Sequence, residues 1–132
     1  MSEQGTQRHH SRERALEILY EASIKERPVA SVLDDLPVRP DAYTVLILTS
    51  AASHEDEANE LISRFSIDWP LERLALVDRL VMTLAIGEML MDEPPPIAVI
   101  LDEAVELAKV YSTEGSASFV NGVLAACADH LE

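Results

Sequence analysis

Asp102-Glu-Ala-Val-Glu-Leu-Ala-Lys109, a short Gly/Ser connector, and Phe119-Val-Asn-Gly-Val-Leu124 are the stretches on which the fold reading turns. Around the first, Ile100, Ala104, Leu107, Ala108 and Tyr111 fall three and four residues apart, which is one face of a helix. Through the second, Val120, Leu124, Cys127 and Leu131 recur at steps of four, three and four, with Phe119 and Val123 in a neighbouring row. Asn121-Gly122 would otherwise invite a hairpin turn, and the helical period argues against it. A glycine inside a helix costs about 1 kcal/mol relative to alanine. Gly122 therefore predicts that another helix backbone passes close by. The segment Ser112 to Gly115 turns the chain between these two helices.

Working back toward the start, the same period recurs. Leu71 to Met91 is apolar on nearly every side from Leu80 onward, apart from Thr83 and Glu88, and predicts a helix buried by neighbours on several faces. Asp92-Glu-Pro-Pro-Pro96 ends it, and Pro70 stands at its first turn. Asp41 to Phe65 carries Val45, Leu48, Ala52, Ala58, Leu61, Ile62 and Phe65, which predicts one long helix broken by Ser66-Ile-Asp-Trp-Pro70. Val29 to Leu36 suits a short helix before Pro37 and Pro40. From Arg8 to Glu26, Leu16, Leu19, Tyr20, Ser23 and Ile24 form a stripe that Pro28 closes. Met1 to Gln7 is polar, holds Gly5 and reads as a disordered lead-in.

The expectation is an all-α domain over residues 8–132, with about six to seven helices. A chain of 132 residues with 48% hydrophobic and only 5% aromatic residues suits a single helical core. One cysteine, Cys127, allows no internal disulfide, and no charged-then-apolar leader opens the chain, so a reducing cytoplasm is expected. The longest uncharged stretch, Ala42 to His54, falls short of the roughly 20 apolar residues that a membrane helix needs. The net charge of −14 repels phosphate at long range, but it is unevenly placed. Residues 1–27 balance Arg8, Arg12, Arg14, Lys25 and Arg27 against five glutamates, so all of the excess lies in residues 28–132.

Motifs of catalysis are absent from the sequence: there is no glycine-rich phosphate loop, no nucleophile elbow and no Cys-x-x-Cys pair. His54-Glu55 opens like a zinc-protease helix, but the second ligand position is Ala58, so no metal site is expected. Cys127 lies on an apolar stripe and reads as a buried small hydrophobe. No enzyme activity, catalytic residue or cofactor is expected. What remains is a binding surface. Arg8, His9, His10, Arg12 and Arg14 crowd the first turns of the first helix, where guanidinium forks suit phosphates, although a solvated N-terminus has the same look. Phe119 offers a plane for stacking on an unpaired base, worth about 1 to 3 kcal/mol, with core packing as the competing role. Tyr20 and Tyr111 carry the same ambiguity. Glu72, Asp78, Asp102, Glu103 and Glu106 suit either a basic partner or plain solvent.

The paired tail phrases, with Trp69-Pro-Leu-Glu-Arg-Leu74, Val77-Asp-Arg79 and the Arg/His-rich start leading into Ala15-Leu16 and Leu19-Tyr20, resemble the NusB family of bacterial transcription antitermination factors over nearly the whole chain. The resemblance implies a NusB-like bundle of two packed helical subdomains, here about 8–66 and 67–132. It implies a non-enzymatic RNA-binding protein that pairs with NusE, a small-subunit ribosomal protein, on boxA-type single-stranded RNA. The pair would load onto the RNA polymerase antitermination complex and promote processive transcription of ribosomal RNA operons. Carried over by residue, it places RNA contact at Arg8, His9, His10, Arg12, Ser118 and Phe119, and partner contact at Tyr20, Glu72 and Asp78. On this reading, Arg8 and Arg12 replaced by Ala should weaken RNA binding and leave the fold intact.

Departures from the family pattern shape the expectation further. His9 and His10 stand where arginine or lysine is usual, which would make part of the grip pH-dependent. Ser118 stands in a frequent lysine position, Gly115 in a frequent acidic one, and Gly87 replaces a common aromatic. With the acidity, these changes predict weak RNA binding by the chain alone and dependence on a basic partner. Two alternatives stay open: a protein-docking relative that has lost RNA binding, and an RNA-binding domain of the kind fused to RNA cytosine methyltransferases, which the end of the chain at Glu132 disfavours. A homodimer formed through an exposed apolar patch also stays open.

Overall fold

A computed structural model describes residues 2–67 and 69–132. Met1, part of the expected lead-in, and Asp68, part of the expected break, lie outside the described residues. Among those described, the regular structure is helical: α1 (Glu3–Ile24), α2 (Val29–Asp35), α3 (Ala42–Ser53), α4 (Glu55–Phe65), a 3-10 turn (Leu71–Arg73), α5 (Leu76–Met89), α6 (Ile97–Tyr111) and α7 (Ser116–Leu131).

The first helix starts earlier than its apolar pattern. Ser2 caps it, its hydroxyl accepting from the Gly5 amide at 2.9 Å, so residues 3–7 are helical and not a disordered lead-in. The buried face is also rotated from the predicted stripe. Ala15, Leu16, Ile18, Leu19 and Ala22 face the core, while Tyr20 is 44% exposed and Ile24 is exposed as well. Small Ala15 and Ala22 let neighbouring helices approach, a role that hydrophobicity alone does not advertise.

The expected long third helix is two helices. His54, at φ −111° and ψ 21°, interrupts it, and its ring Nδ1 lies 2.8 Å from the Ser50 carbonyl, which also accepts from the His54 amide at 3.0 Å. Glu55, Asp56 and Glu57 then occupy the first turn of α4, where negative charge complements the helix dipole. The α5 helix likewise begins later than predicted, at Leu76, because Leu71–Arg73 is a 3-10 turn that follows Pro70.

From Leu80 to Met89 every residue of α5 is buried, and the helix packs against α1, α3, α4, α6 and α7. One continuous apolar cluster therefore runs from α1 to α7 through α5. The close backbone approach occurs at Gly87 and not at Gly122. A Cβ on Gly87 would stand 2.7 Å from Ala51 Cα, whereas one on Gly122 would meet nothing within 4 Å. The α5–α3 crossing is tied by the Ser50 hydroxyl, which donates to the Gly87 carbonyl at 2.5 Å. Gly115, at φ +91°, adopts the left-handed conformation that turns the chain into α7.

Candidate nucleic-acid interface

The exposed N-terminal turns of α1 run beside α3 and α6. Arg8 is half-buried, with its guanidinium carbon 4.6 Å from the centroid of the Tyr43 ring. His10 points outward, its side chain 71% exposed, and its Nδ1 lies 3.1 Å from Glu13 Oε1. Arg14 is exposed and pairs with Glu17 at 3.6 Å. These three side chains form the accessible nitrogen-bearing edge of the helix.

Arg12 does not belong to that edge. It is 3% exposed, and its Nε donates to both carboxylate oxygens of Glu88 at 2.9 and 3.2 Å while Nη2 reaches Oε2. Glu88 is 2% exposed and also accepts from the Tyr43 hydroxyl at 2.6 Å. Glu103 lies 3.7 Å from Nη1 of Arg12. Burial disfavours the Arg12 charge, but hydrogen bonding to Glu88 and its negative charge outweigh it, and the guanidinium is held more firmly protonated than usual. The expectation that Arg12 clamps a phosphate is therefore corrected: its fork is spent on a buried carboxylate that fastens α1 to α5.

His9 is similarly engaged. Its Nδ1 lies 2.7 Å from Glu103 Oε2, and that hydrogen bond raises the imidazole pKa above its ordinary value against the opposing effect of burial. Glu13 on the next turn accepts from the Tyr111 hydroxyl at 3.0 Å, so both glutamates tie α1 to the α6 side. Burial works against the Glu13 carboxylate, but the Tyr111 and His10 hydrogen bonds hold its pKa below the usual value. Tyr111 is thus a partly exposed linker between helices.

At the other end of α6, Phe119 is half-buried on the first turn of α7, and Ser118 beside it is exposed. Phe119 lines a cleft with Trp69, Arg73, Leu74, Ala75 and Gly115. Tyr111, where the chain leaves α6 for the turn into α7, donates to Glu13, the residue that His10 also contacts.

Of the predicted partner contacts, Tyr20 and Glu72 are exposed. Asp78 is buried, and it accepts from the Ser112 hydroxyl at 2.5 Å and the Ser116 hydroxyl at 3.0 Å. Its carboxylate holds the α6–α7 turn against the start of α5, so a docking role for it is corrected to a structural one. Glu103 is buried too, in place of the solvated face its sequence position suggested. Sequence reasoning missed Tyr43 and Trp69 as surface-forming aromatics. It noted Glu88, with Thr83, as an exception in the apolar run from Leu80 onward, and a carboxylate there is a signal for a buried cation, since a buried charge needs a partner.

The sequence profile of the NusB family matches residues 9–129. Among curated relatives, the transcription antitermination protein NusB of Acidothermus cellulolyticus is 42% identical over 123 residues, spanning 90% of this chain and 85% of that protein. Among solved structures, NusB of T. maritima superposes with a TM-score of 0.81 at 32% identity, over 92% of this chain and 90% of that one. A structure of antitermination factors NusB and NusE in complex with dsRNA matches with a TM-score of 0.77, over 93% of this chain and 96% of that one, and at 23% identity it bears on the fold alone.

Proposed function

This chain belongs to the NusB family, and on that premise we propose that it is a transcription antitermination factor acting by binding RNA together with a NusE-type ribosomal protein. The family match over almost the whole chain is the observation that carries this reading. The protein's part is to hold a single-stranded boxA-type segment of nascent RNA against polymerase while the partner supplies most of the positive charge. The accessible side chains of Arg8 and His10 suit phosphate contact, and Phe119 with Ser118 suits contact with a base. Exposed Tyr20 and Glu72 suit the protein partner. No residue acts as nucleophile or general base in this scheme. No described helix is long and apolar enough to cross a membrane.

The net charge of −14 favours a division of labour with a basic partner. Binding of labelled boxA-type RNA is measured with the chain alone, with NusE and with both, at two salt concentrations and against a scrambled sequence. Selective binding that tightens in the ternary mixture supports the reading, and Arg8→Ala should reduce both affinity and its salt dependence. A second reading, a docking relative without RNA contact, draws on the internal neutralisation of Arg12 and His9. It predicts that NusE binds while RNA affinity never exceeds that of NusE alone.

A further inference from the structure

We propose that Tyr43 is a positioning residue for RNA binding: its ring holds the Arg8 guanidinium at the surface, unpaired and ready for a phosphate. The inference rests on the RNA-binding reading above and adds to it a side chain that acts through Arg8.

Tyr43 stands on the first turn of α3, and two arginines of α1 reach its ring. The Arg8 guanidinium carbon lies 4.6 Å from the ring centroid, and that of Arg12, one turn further on, lies 5.7 Å from it. The residue is fixed at both ends. Its hydroxyl donates to Glu88 Oε2 at 2.6 Å, and that carboxylate is itself clamped by the buried fork of Arg12. Burial and the bond to Glu88 push the hydroxyl pKa up, so it stays a donor. At the backbone end, Asp41 caps α3 by accepting from the Thr44 amide at 3.2 Å, and it also accepts from the Ser11 hydroxyl of α1 at 2.7 Å. The ring therefore cannot swing away from α1 without giving up its bond to a buried carboxylate.

Arg8 differs from its neighbours in what it touches. His9, His10, Arg12 and Arg14 each meet a carboxylate, whereas Arg8 has none within 4 Å among the described residues. Acids are nevertheless close on two sides. Asp92 and Glu93 line one cleft that Arg8 borders, and Asp102 and Glu103 line another. A flexible arginine in so acidic a protein would find one of them, and the ring competes with them for the guanidinium. Attraction to the ring's quadrupole uses none of the N–H donors, so all five are left for a phosphate. An arginine already held over a ring also has less rotamer freedom to lose when it grips one. The competing role is sequestration, in which the ring withholds Arg8 from RNA. The two roles predict effects of opposite sign.

Tyr43→Phe and Tyr43→Leu both lose the hydroxyl and its bond to Glu88, but only the second loses the aromatic face, so the difference between them isolates the ring. Anisotropy of labelled boxA-type RNA is measured with NusE present, over a series of salt concentrations, for each variant alone and combined with Arg8→Ala. Thermal melts and NusE binding without RNA establish that each is folded. We expect Tyr43→Leu to bind RNA about three- to fivefold more weakly than Tyr43→Phe, with a salt dependence flattened toward that of Arg8→Ala. In the Arg8→Ala background the two should bind alike. A second measurement needs no Tyr43 variant. In the wild-type protein the Arg8 Hε resonance, assigned by its loss in Arg8→Ala, should lie upfield through the ring current and stay there when RNA binds. Its return to an ordinary position on binding would show that Arg8 leaves the ring, against the proposal. If Leu and Phe bind RNA equally while Arg8→Ala weakens it, Tyr43 does not position Arg8 and the RNA-binding reading stands. Tighter binding by Tyr43→Leu means sequestration, and a loss that persists without Arg8 means that Tyr43 touches RNA itself; either result overturns the proposal. Wild-type protein that adds nothing to the RNA affinity of NusE overturns both.

Discussion

Replacing Arg12 with Ala removes the charged partner of Glu88, a carboxylate 2% exposed to solvent. Glu88 keeps only the Tyr43 hydroxyl at 2.6 Å, and Glu103 loses a cation 3.7 Å away. Breaking a buried ion pair from one side costs about 3 to 5 kcal/mol, because the remaining charge stays desolvated without compensation. Against a total stability of about 5 to 15 kcal/mol this is a large fraction. With an m-value of about 2 kcal/mol/M, the urea midpoint should fall by on the order of 2 M. Arg12→Met/Glu88→Leu, which removes both charges, should recover most of the loss, and a double-mutant cycle isolates the coupling. The practical consequence is that Arg12→Ala is a poor probe of RNA contact and Arg8→Ala a good one. An Arg12→Ala protein with an unchanged midpoint and weakened RNA binding would refute this reasoning and return Arg12 to the phosphate-binding edge.

Gly87→Ala should destabilise by about 1 to 3 kcal/mol or more, since the new methyl meets the Ala51 backbone. Gly122→Ala, with open space around it, should stabilise by up to about 1 kcal/mol, and opposite shifts of the two urea midpoints check the pair. His9 carries a raised pKa in the folded state through Glu103. Its stabilising contribution is therefore full below the unfolded value of about 6.5 and lost as pH rises through the folded value. The stability difference between wild type and His9→Gln should shrink from pH 6 to pH 9, and a flat difference would show that the charge on His9 contributes nothing. Asp78→Ala should lower stability by about 1.5 to 3 kcal/mol through two lost hydrogen bonds to a charged acceptor. NusE affinity of the folded variant should not change, and a titration by calorimetry beside a thermal melt separates the two effects.

The helix pattern was legible because periodic burial leaves its mark on the sequence itself. Leu80 to Met89 reads as a helix buried on all sides, and α6 and α7 read from their stripes. Breaks that do not interrupt apolar periodicity were less legible. The chain resumes helix after His54, so its stripe runs on, and only the acidic run Glu55-Asp56-Glu57 marks a new helix start. The beginning of α1 was hidden in the same way, since a solvated helical turn needs no apolar residue.

Composition and spacing alone determined that this protein is a helical domain whose excess negative charge lies beyond residue 27, and the motifs in order along the chain determined its family. Which charges reach solvent was decided only by tertiary structure. Arg8 and Arg12 are four residues apart on one helix and look alike in sequence, yet one lies over Tyr43 at the surface and the other is enclosed by Glu88. Gly87 and Gly122 are each a glycine within a helix, and only the first has a backbone against it. The physical reason is the same in both pairs. Periodicity records which face of a helix is buried, whereas the fate of a charge or a missing side chain depends on what a distant segment brings to that face.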